Sequence, residues 1–363
     1  MTSLDTLGPV DDPALRAGLD NIAESAQPPE GRGVTGELEL HGGGEVVSAE
    51  DAVLWARLAE LDQAAEEFEP RSENTLRSYA SDWRVWERYV AEVGIPLEAG
   101  TPGAFLGFVI WLGKEGKAPS TIQRNMYGAA VCLRERGVAV HPDGLKKAKK
   151  AVDVLARMLA EEGEQRGRGK APALTVMQLR AMSKALPDTL KGLRDRAILT
   201  VGFGMAARRS ELANLLARDV VVVADKGLQV FSRYGKTGAR SPVIKKGENE
   251  WTCAQRAWLA WAAAADLDPD GPAFMRFNRH KMMGPISGQG IGIAVADAAK
   301  AVGLVGITGH SMRAGLATAA REAKHDYKTI AEQGGWAPNG TALHEYLRIV
   351  DQWADNATAG IGM

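Results

Sequence analysis

The chain has 363 residues, enough for two ordinary domains, and its 45% hydrophobic and 25% charged residues are the make-up of a soluble globular protein. The formal net charge of −1 hides an asymmetry: residues 1–70 hold 3 Lys and Arg against 16 Asp and Glu, a net of −13, and residues 71–363 hold 41 against 29, a net of +12. An excess of that size is the electrostatic footprint of a polyanion binder, although surface lysines alone give the same count.

Residues 1–47 combine "QPPEGRG" and "HGGGE" with scattered acids and read as an acidic mobile tail. Ser48 and Asp51 resemble a capping box. The helix they open carries Leu54, Leu58, Leu61 and Phe68 on one face and acids on the other, so it should pack on protein, in this chain or another subunit. From Ser72, "SENTLRSYASDWRVWERYV" places Leu76, Tyr79, Trp83, Trp86 and Val90 on a core face. Arg77, Arg84 and Arg88 fall on a separate stripe, either a DNA-facing or a merely solvated one. Helices are predicted at 102–113, 119–136 and about 142–160, with Pro102 and Pro119 read as the starts of the first two, Arg124 on the second and Lys146, Lys147, Lys149 and Lys150 on the third. The run "AFLGFVIWLG" at 104–113 is about half the length of a bilayer span, so it is a core helix.

The reading is therefore an all-α domain at 48–160 with one basic side. A Gly- and charge-rich linker follows at 161–173, where Arg166, Arg168 and Lys170 suit a strap along nucleic acid. A second domain occupies 174–363. Its helices at 175–186 and 190–203 precede "VVVV", "LQVFSRY" and "RSPVIKK", a three-stranded antiparallel meander, after which helices dominate from Trp251. The fold class is thus mainly α with a small antiparallel sheet.

Several chemistries are excluded. Cys132 and Cys253 lie far apart in apolar helical patterns, and the six histidines are scattered, so neither a disulfide framework nor a metal site is expected. "YGKTG" lacks the first glycine and following helix of a P-loop, and "GQGIG" at 288–292 has no strand before it and reads as a loop into the next helix. No leader pattern opens the chain, which predicts a cytoplasmic protein.

What remains is an ordered series of polar residues: Arg208 and Glu211 in "RRSEL", Lys236 between two strands, His310 and Arg313 in "GHSMRAG", Trp336 after "QGG", and Tyr346 in "EYLR". Over roughly residues 72–363 this series resembles the tyrosine recombinases of the phage integrase family, most nearly the Cre-like members. The resemblance implies a helical DNA-clamping (core-binding) domain followed by a catalytic domain. It makes Arg208 and Arg313 the phosphate-binding arginines, His310 and Trp336 their companions, Glu211 a positioning acid, Lys236 the general acid and Tyr346 the nucleophile. The "R-x-S-E-L" register chooses Arg208 over Arg209, and "PNG" at 338–340 absorbs one residue more than Cre has between Trp336 and Tyr346.

A phosphodiester under attack gains negative charge on its non-bridging oxygens, which planar guanidinium forks match. The small flanks Gly309, Ala314 and Gly315, at a helix N-terminus, are expected to let backbone approach the phosphate. The implied activity is site-specific strand exchange through a 3′-phosphotyrosyl intermediate and a Holliday junction, without a cofactor. The implied partners are duplex DNA, in the nucleoid, and three further copies of the chain, with the C-terminal Ile349, Val350 and Trp353 docking in trans. The alternatives are a type IB topoisomerase-like or hairpin-end-forming strand transferase, and a DNA-binding relative without activity.

Overall fold

A computed structural model describes residues 49–67, 71–233, 238–279, 281–337 and 340–354, with the side chains of 49–52, 63–67 and 348–354 excepted. The acidic tail, Ser48, Phe68, Lys236, Pro338 and Asn339 lie outside the described residues, as do the side chains of Ile349, Val350 and Trp353. The chain divides into two compact units, Met1–Gly167 and Arg168–Met363.

The first unit contains helices α1 (Ala49–Glu67), α2 (Glu73–Val93), α3 (Pro102–Lys114), α4 (Pro119–Glu135) and α5 (Pro142–Glu161). Ser72 and Thr101 cap α2 and α3 by accepting backbone N–H bonds, and Pro opens α3, α4 and α5, where a missing N–H costs nothing. Trp86, Phe105, Phe108, Ile122, Met126 and Leu133 are fully buried and form its core. Trp86 donates its indole N–H to the Leu97 carbonyl at 2.9 Å and packs edge-on against Phe108. Leu76, expected in this core, is exposed, because it lies in the first turn of α2 beyond the packed face. On α1, Val53, Leu54, Trp55 and Leu58 are all exposed.

The second unit is built around α7 (Leu190–Gly204), whose Ala197, Ile198, Leu199 and Val201 are fully buried, with α6 (Val176–Ala185) beside it. The short helix α8 (Arg209–Ala213) leads through a 3-10 turn into β1 (Val220–Val223), β2 (Gly227–Val230) and β3 (Val243–Lys245). These pair antiparallel in the order β1-β2-β3, with Val220 opposite Val230 and Leu228 opposite Ile244. Helices α9 (Ala254–Ala265), α10 (Gly288–Ala301), α11 (Gly309–Glu322), α12 (Tyr327–Gly334) and α13 (Thr341–Ala354) complete it.

Two expectations are corrected here. Between α9 and α10 the chain forms a hairpin, β4 (Met275–Asn278) and β5 (Lys281–Pro285), in a stretch where helices are expected to dominate and no strand is predicted. Its strands lack β-branched residues and are held by tertiary contacts: Arg194 donates to the Met275 carbonyl at 2.8 Å and lies over the Phe277 ring, which also meets Trp261. "GQGIG" is the first turn of α10, capped by Ser287, so these glycines are helical. Cys132 and Cys253 are free and buried. Among the described residues no helix is long and apolar enough to cross a membrane, and no cluster of potential metal ligands occurs.

Candidate active site

The site grows from the turn that ends α7. Ala206 takes a left-handed φ of 47°, reversing the chain so that Arg208 becomes the extended residue preceding α8. Glu211, one turn on, reaches back as a capping carboxylate. Its Oε2 accepts the Arg208 backbone N–H at 2.7 Å, and its Oε1 accepts Nη1 of the Arg208 side chain at 2.6 Å. This separates the paired arginines. Arg208 turns inward, with its Nη2 3.5 Å from the Gly335 carbonyl, whereas Arg209 is exposed and its stem runs beside Gly309 and Gly292.

Arg313 lies on the buried face of α11 and is 2% exposed. Its Nη1 donates to the carbonyls of Ala206 at 2.6 Å and Gly334 at 2.5 Å, and its guanidinium sits 3.8 Å over the Trp336 ring. Its Nη2 is buried without a hydrogen-bond partner among the described residues. An unmet buried donor costs about 1–3 kcal/mol, more when charged, so this nitrogen marks a place for an acceptor. Burial, with Arg208 beside it, lowers the Arg313 pKa to about 10, which leaves it a cation at neutral pH.

Trp336 folds over its own chain because residue 334 is glycine; a Cβ there would lie 1.8 Å from the indole. Trp336 also meets Tyr346 edge-on, with ring centroids 6.1 Å apart. Tyr346 is carried by α13, which docks on its own unit through Leu343 and Leu347 against Ala317, Ile330 and Ala331. The Tyr346 hydroxyl is hydrogen-bonded to His310 Nε2. Partial enclosure and the cations Arg313, Arg208 and Arg209 hold the His310 pKa below its ordinary value, so the imidazole is neutral and can accept a proton. Burial raises the Tyr346 pKa, and Arg313 and Arg208 offset only part of the rise. The arrangement thus supplies a phenol already bonded to a neutral base.

The glycine expectation in "GHSMRAG" is corrected. A Cβ at Gly309 would lie 2.5 Å from Cγ of Arg209, and one at Gly315 would lie 2.1 Å from the Leu174 carbonyl oxygen, so both make room for protein atoms. Ala314 is buried, and the His310 backbone N–H is taken by Thr308 Oγ1 at 3.2 Å.

Arg208, Glu211, His310, Arg313, Trp336 and Tyr346 are therefore brought together, and a seventh residue joins them. Arg240, its side chain 9% exposed, donates Nη2 to Glu211 Oε2 at 2.8 Å. In the sequence it is one cation among Arg233, Lys236, Lys245 and Lys246, and no spacing singles it out. Burial alone would raise the Glu211 pKa, but the bonds from Arg240 and Arg208 outweigh it and hold the group below the usual carboxylate value.

In the first unit Arg77, Arg84, Arg124, Lys146, Lys147 and Lys150 are exposed. Arg77 pairs with Glu73, and Arg124 pairs with the buried Asp82 at 2.5 Å. Arg88 is drawn to Glu115 at 2.8 Å and over the Trp111 ring, and Arg166 donates to the Gly113 carbonyl at 2.7 Å and to Glu164 at 2.8 Å. Arg168, the first residue of the second unit, is exposed.

The model of the phage integrase family matches residues 172–352. The chain is 27% identical over 300 residues to an integrase/recombinase XerD homolog of Selenomonas ruminantium, covering 79% of this chain and 85% of that protein. It is 28% identical over 230 residues to tyrosine recombinase XerC of Xylella fastidiosa, covering 62% and 68% respectively. The fold is similar to that of the XerH site-specific recombinase bound to palindromic difH substrate, at 12% identity and a TM-score of 0.54 over 94% of this chain and 96% of that one. It is also similar to that of a lambda integrase dimer bound to a COC′ core site, at 17% identity and a TM-score of 0.51 over 80% and 93%.

Proposed function

This chain belongs to the phage integrase family and is a tyrosine recombinase, and from that premise we propose that Tyr346 cuts DNA at a specific site and holds the broken end as a 3′-phosphotyrosyl ester. The observation that carries the reading is a charge surplus. Arg208, Arg240 and Arg313 meet a single hydrogen-bonded carboxylate among the described residues, Glu211, and Arg313 retains an unmet buried donor. A phosphodiester approaching five-coordination supplies the missing negative charge, and two guanidinium forks, Arg208 and Arg313, suit its non-bridging oxygens. His310 takes the Tyr346 proton as the phenolate oxygen attacks phosphorus. The bond to the 5′ oxygen breaks, and that oxygen leaves with a proton, for which Lys236 is the assigned donor. Trp336 fixes Arg313 and Tyr346 by packing against both, and Glu211 positions Arg208.

Phosphoester energy is retained in the adduct, so the 5′-hydroxyl of a second duplex reverses the step without a cofactor. Exchange of both strands then passes through a Holliday junction. We assign 48–160 as the core-binding domain, 161–173 as a basic linker and 174–363 as the catalytic domain. Arg77, Arg84, Arg88, Arg124, Lys146, Lys147, Lys150, Arg166 and Arg168 are assigned to the phosphates, Arg88 and Arg166 being also tied to the first unit by their bonds to Glu115 and the Gly113 carbonyl. Assembly is as a tetramer on DNA, with the segment from residue 349 onward docking in trans, in the cytoplasm and at the nucleoid. Relatives named as integrases and recombinases favour strand exchange over a topoisomerase or hairpin-forming activity.

The test is covalent trapping. Duplexes bound by the full chain are recovered from a randomised pool, a nick is placed in the recovered sequence, and adducts are read by denaturing gel and mass spectrometry. The expected adduct maps to Tyr346 and vanishes in Tyr346→Phe, while DNA binding stays within a few-fold because a large phosphate interface sets it. An adduct on Tyr327, or one that persists in Tyr346→Phe, refutes the assignment.

A further inference from the structure

We infer that Arg240 is a positioning residue of the cleavage site, one that neutralises Glu211 so that the charge of Arg208 stays available to the phosphate. The inference rests on the reading above and adds a residue that the sequence motifs do not contain.

Its first support is geometric. Arg240 Nη1 donates to the carbonyls of Met205, at 2.8 Å, and Gln333, at 2.6 Å. Arg313 Nη1 donates to the carbonyls of Ala206 and Gly334, the next residue along each segment. The two guanidiniums are consecutive rungs between the same two turns, the one ending α7 and the one ending α12. Gln333 adds a third rung, with Nε2 bonded to the Gly204 carbonyl at 2.7 Å and the Val243 carbonyl at 3.0 Å. Arg240 is itself fastened by backbone, exchanging N–H and carbonyl bonds with Ser232 at 2.8 and 2.9 Å. That pairing fixes its Cα beside the site, and swinging the side chain out to solvent would break its bonds to Met205, Gln333 and Glu211.

The second support is electrostatic. Glu211 divides its oxygens: Oε1 accepts the Arg208 side chain, and Oε2 accepts both the Arg208 backbone N–H and Arg240 Nη2. Without Arg240 the carboxylate would have the Arg208 guanidinium as its sole hydrogen-bonded cation among the described residues, and that pair would be neutral. A phosphate under attack would then meet a carboxylate balanced by Arg208 alone, inside a region where water screens little. With Arg240 in place the two arginines around Glu211 sum to one surplus positive charge, and Arg313 adds another. Two surplus charges match the dianionic five-coordinate phosphorus. Arg240 Nε is also buried without a partner, so this guanidinium, like Arg313, is held with a donor to spare.

A residue that only braces the fold and one that tunes charge respond differently to removal of Glu211. Full-length wild type, Arg240→Gln, Glu211→Gln and the double variant are compared on the nicked duplex recovered by the wild type, with single-turnover adduct formation, DNA affinity and melting temperature read for each. Arg240→Gln should form adduct about 100-fold more slowly than wild type, the scale of losing one preorganised electrostatic contact, at unchanged affinity. The double variant should be at least about tenfold faster than Arg240→Gln, because the uncompensated carboxylate has gone. A double variant no faster than Arg240→Gln, or an Arg240→Gln enzyme within about threefold of wild type, overturns the inference. Should Arg240→Gln melt below the assay temperature, Arg240→Lys carries the test: retained charge should keep cleavage within about tenfold of wild type, and a loss as large as that of Arg313→Ala overturns the inference. If the wild type itself yields no adduct, the failure belongs to the proposed function and not to Arg240.

Discussion

The two units each hold an arginine with a buried carboxylate, and they do so to opposite effect. In the first, Asp82 is 1% exposed and fits only because residue 128 is glycine, where a Cβ would lie 2.3 Å from its oxygen. Its one ion-pair partner among the described residues is Arg124, which also donates to Asn125 at 2.9 Å and remains half exposed. Burial pushes the Asp82 carboxyl up, and Arg124 recovers only part of the shift. In the second, Glu211 is equally buried but receives two guanidiniums and a backbone N–H, and it is held down. Both carboxylates are shut off from solvent, yet only Asp82 is pushed up, so the number of donors decides the sign. The first site presents one arginine to solvent beside a balancing acid. The second encloses more positive charge than its acid can balance, which suits a reacting phosphate better than a static one.

The largest break in this comparison is expected from the guanidiniums of Arg313 and Arg208. Arg313→Lys and Arg208→Lys should each lose about 10²–10³ in cleavage rate, since an ammonium cannot supply two parallel donors or replace the carbonyl bonds of Arg313. Arg209→Lys should lose far less, because its side chain runs outward past Gly292 and Gly309. Rates of adduct formation on the nicked duplex rank the three. A damaging Arg209→Lys would mean that the pair is used in the other order.

A smaller effect concerns pH. The depressed His310 pKa means that the neutral imidazole persists below the ordinary histidine range and is lost only as pH falls through the lowered value. Adduct formation at limiting DNA, where the profile reports the free enzyme, should therefore hold through about pH 6.5 and decline below it. His310→Gln should be slow throughout and lack that acid limb. A wild-type limb centred above the ordinary imidazole value would show that the enclosing cations do not govern the group.

The smallest effect separates the two carboxylates by sign. Glu211, with its folded pKa lowered, contributes stability that is present above the unfolded value and lost as pH falls through the folded one. Asp82, with its folded pKa raised, behaves oppositely: its contribution is greatest below the unfolded value and is lost as pH rises through the folded one. Glu211→Gln should accordingly flatten the acid side of the melting-temperature profile, and Asp82→Asn should steepen it, each by a few degrees at about 1 kcal/mol. Shifts of the same sign in both variants would remove the distinction.

Much of this molecule was legible before any coordinates. Helices α2 and α3 begin after Ser72 and Thr101, and α3 and α4 open on Pro102 and Pro119, positions that read as starts, and the meander shows in its β-branched runs and turns. Glu211 reaches Arg208 because capping acts over one turn, a local interaction that spacing reveals. The β4–β5 hairpin was not legible, since "MRFN" and "KMMGP" have weak strand character and depend on Arg194 and Trp261 from distant helices.

By itself the sequence determined the family, the order of the proposed site residues and the register that prefers Arg208, because these depend on residue types at short intervals. Tertiary structure alone decided what stands next to what. Arg240 reaches Glu211 across 29 residues, Arg313 spans the carbonyls of Ala206 and Gly334, and the His310 imidazole meets the Tyr346 hydroxyl from a different helix. It also assigned Gly309 and Gly315 to making room for protein atoms where an approach to phosphate had been expected. The physical reason is range. Caps, turns and periodicity act within a few residues of chain, whereas a buried cation takes its partners from whatever backbone the fold brings within about 3 Å.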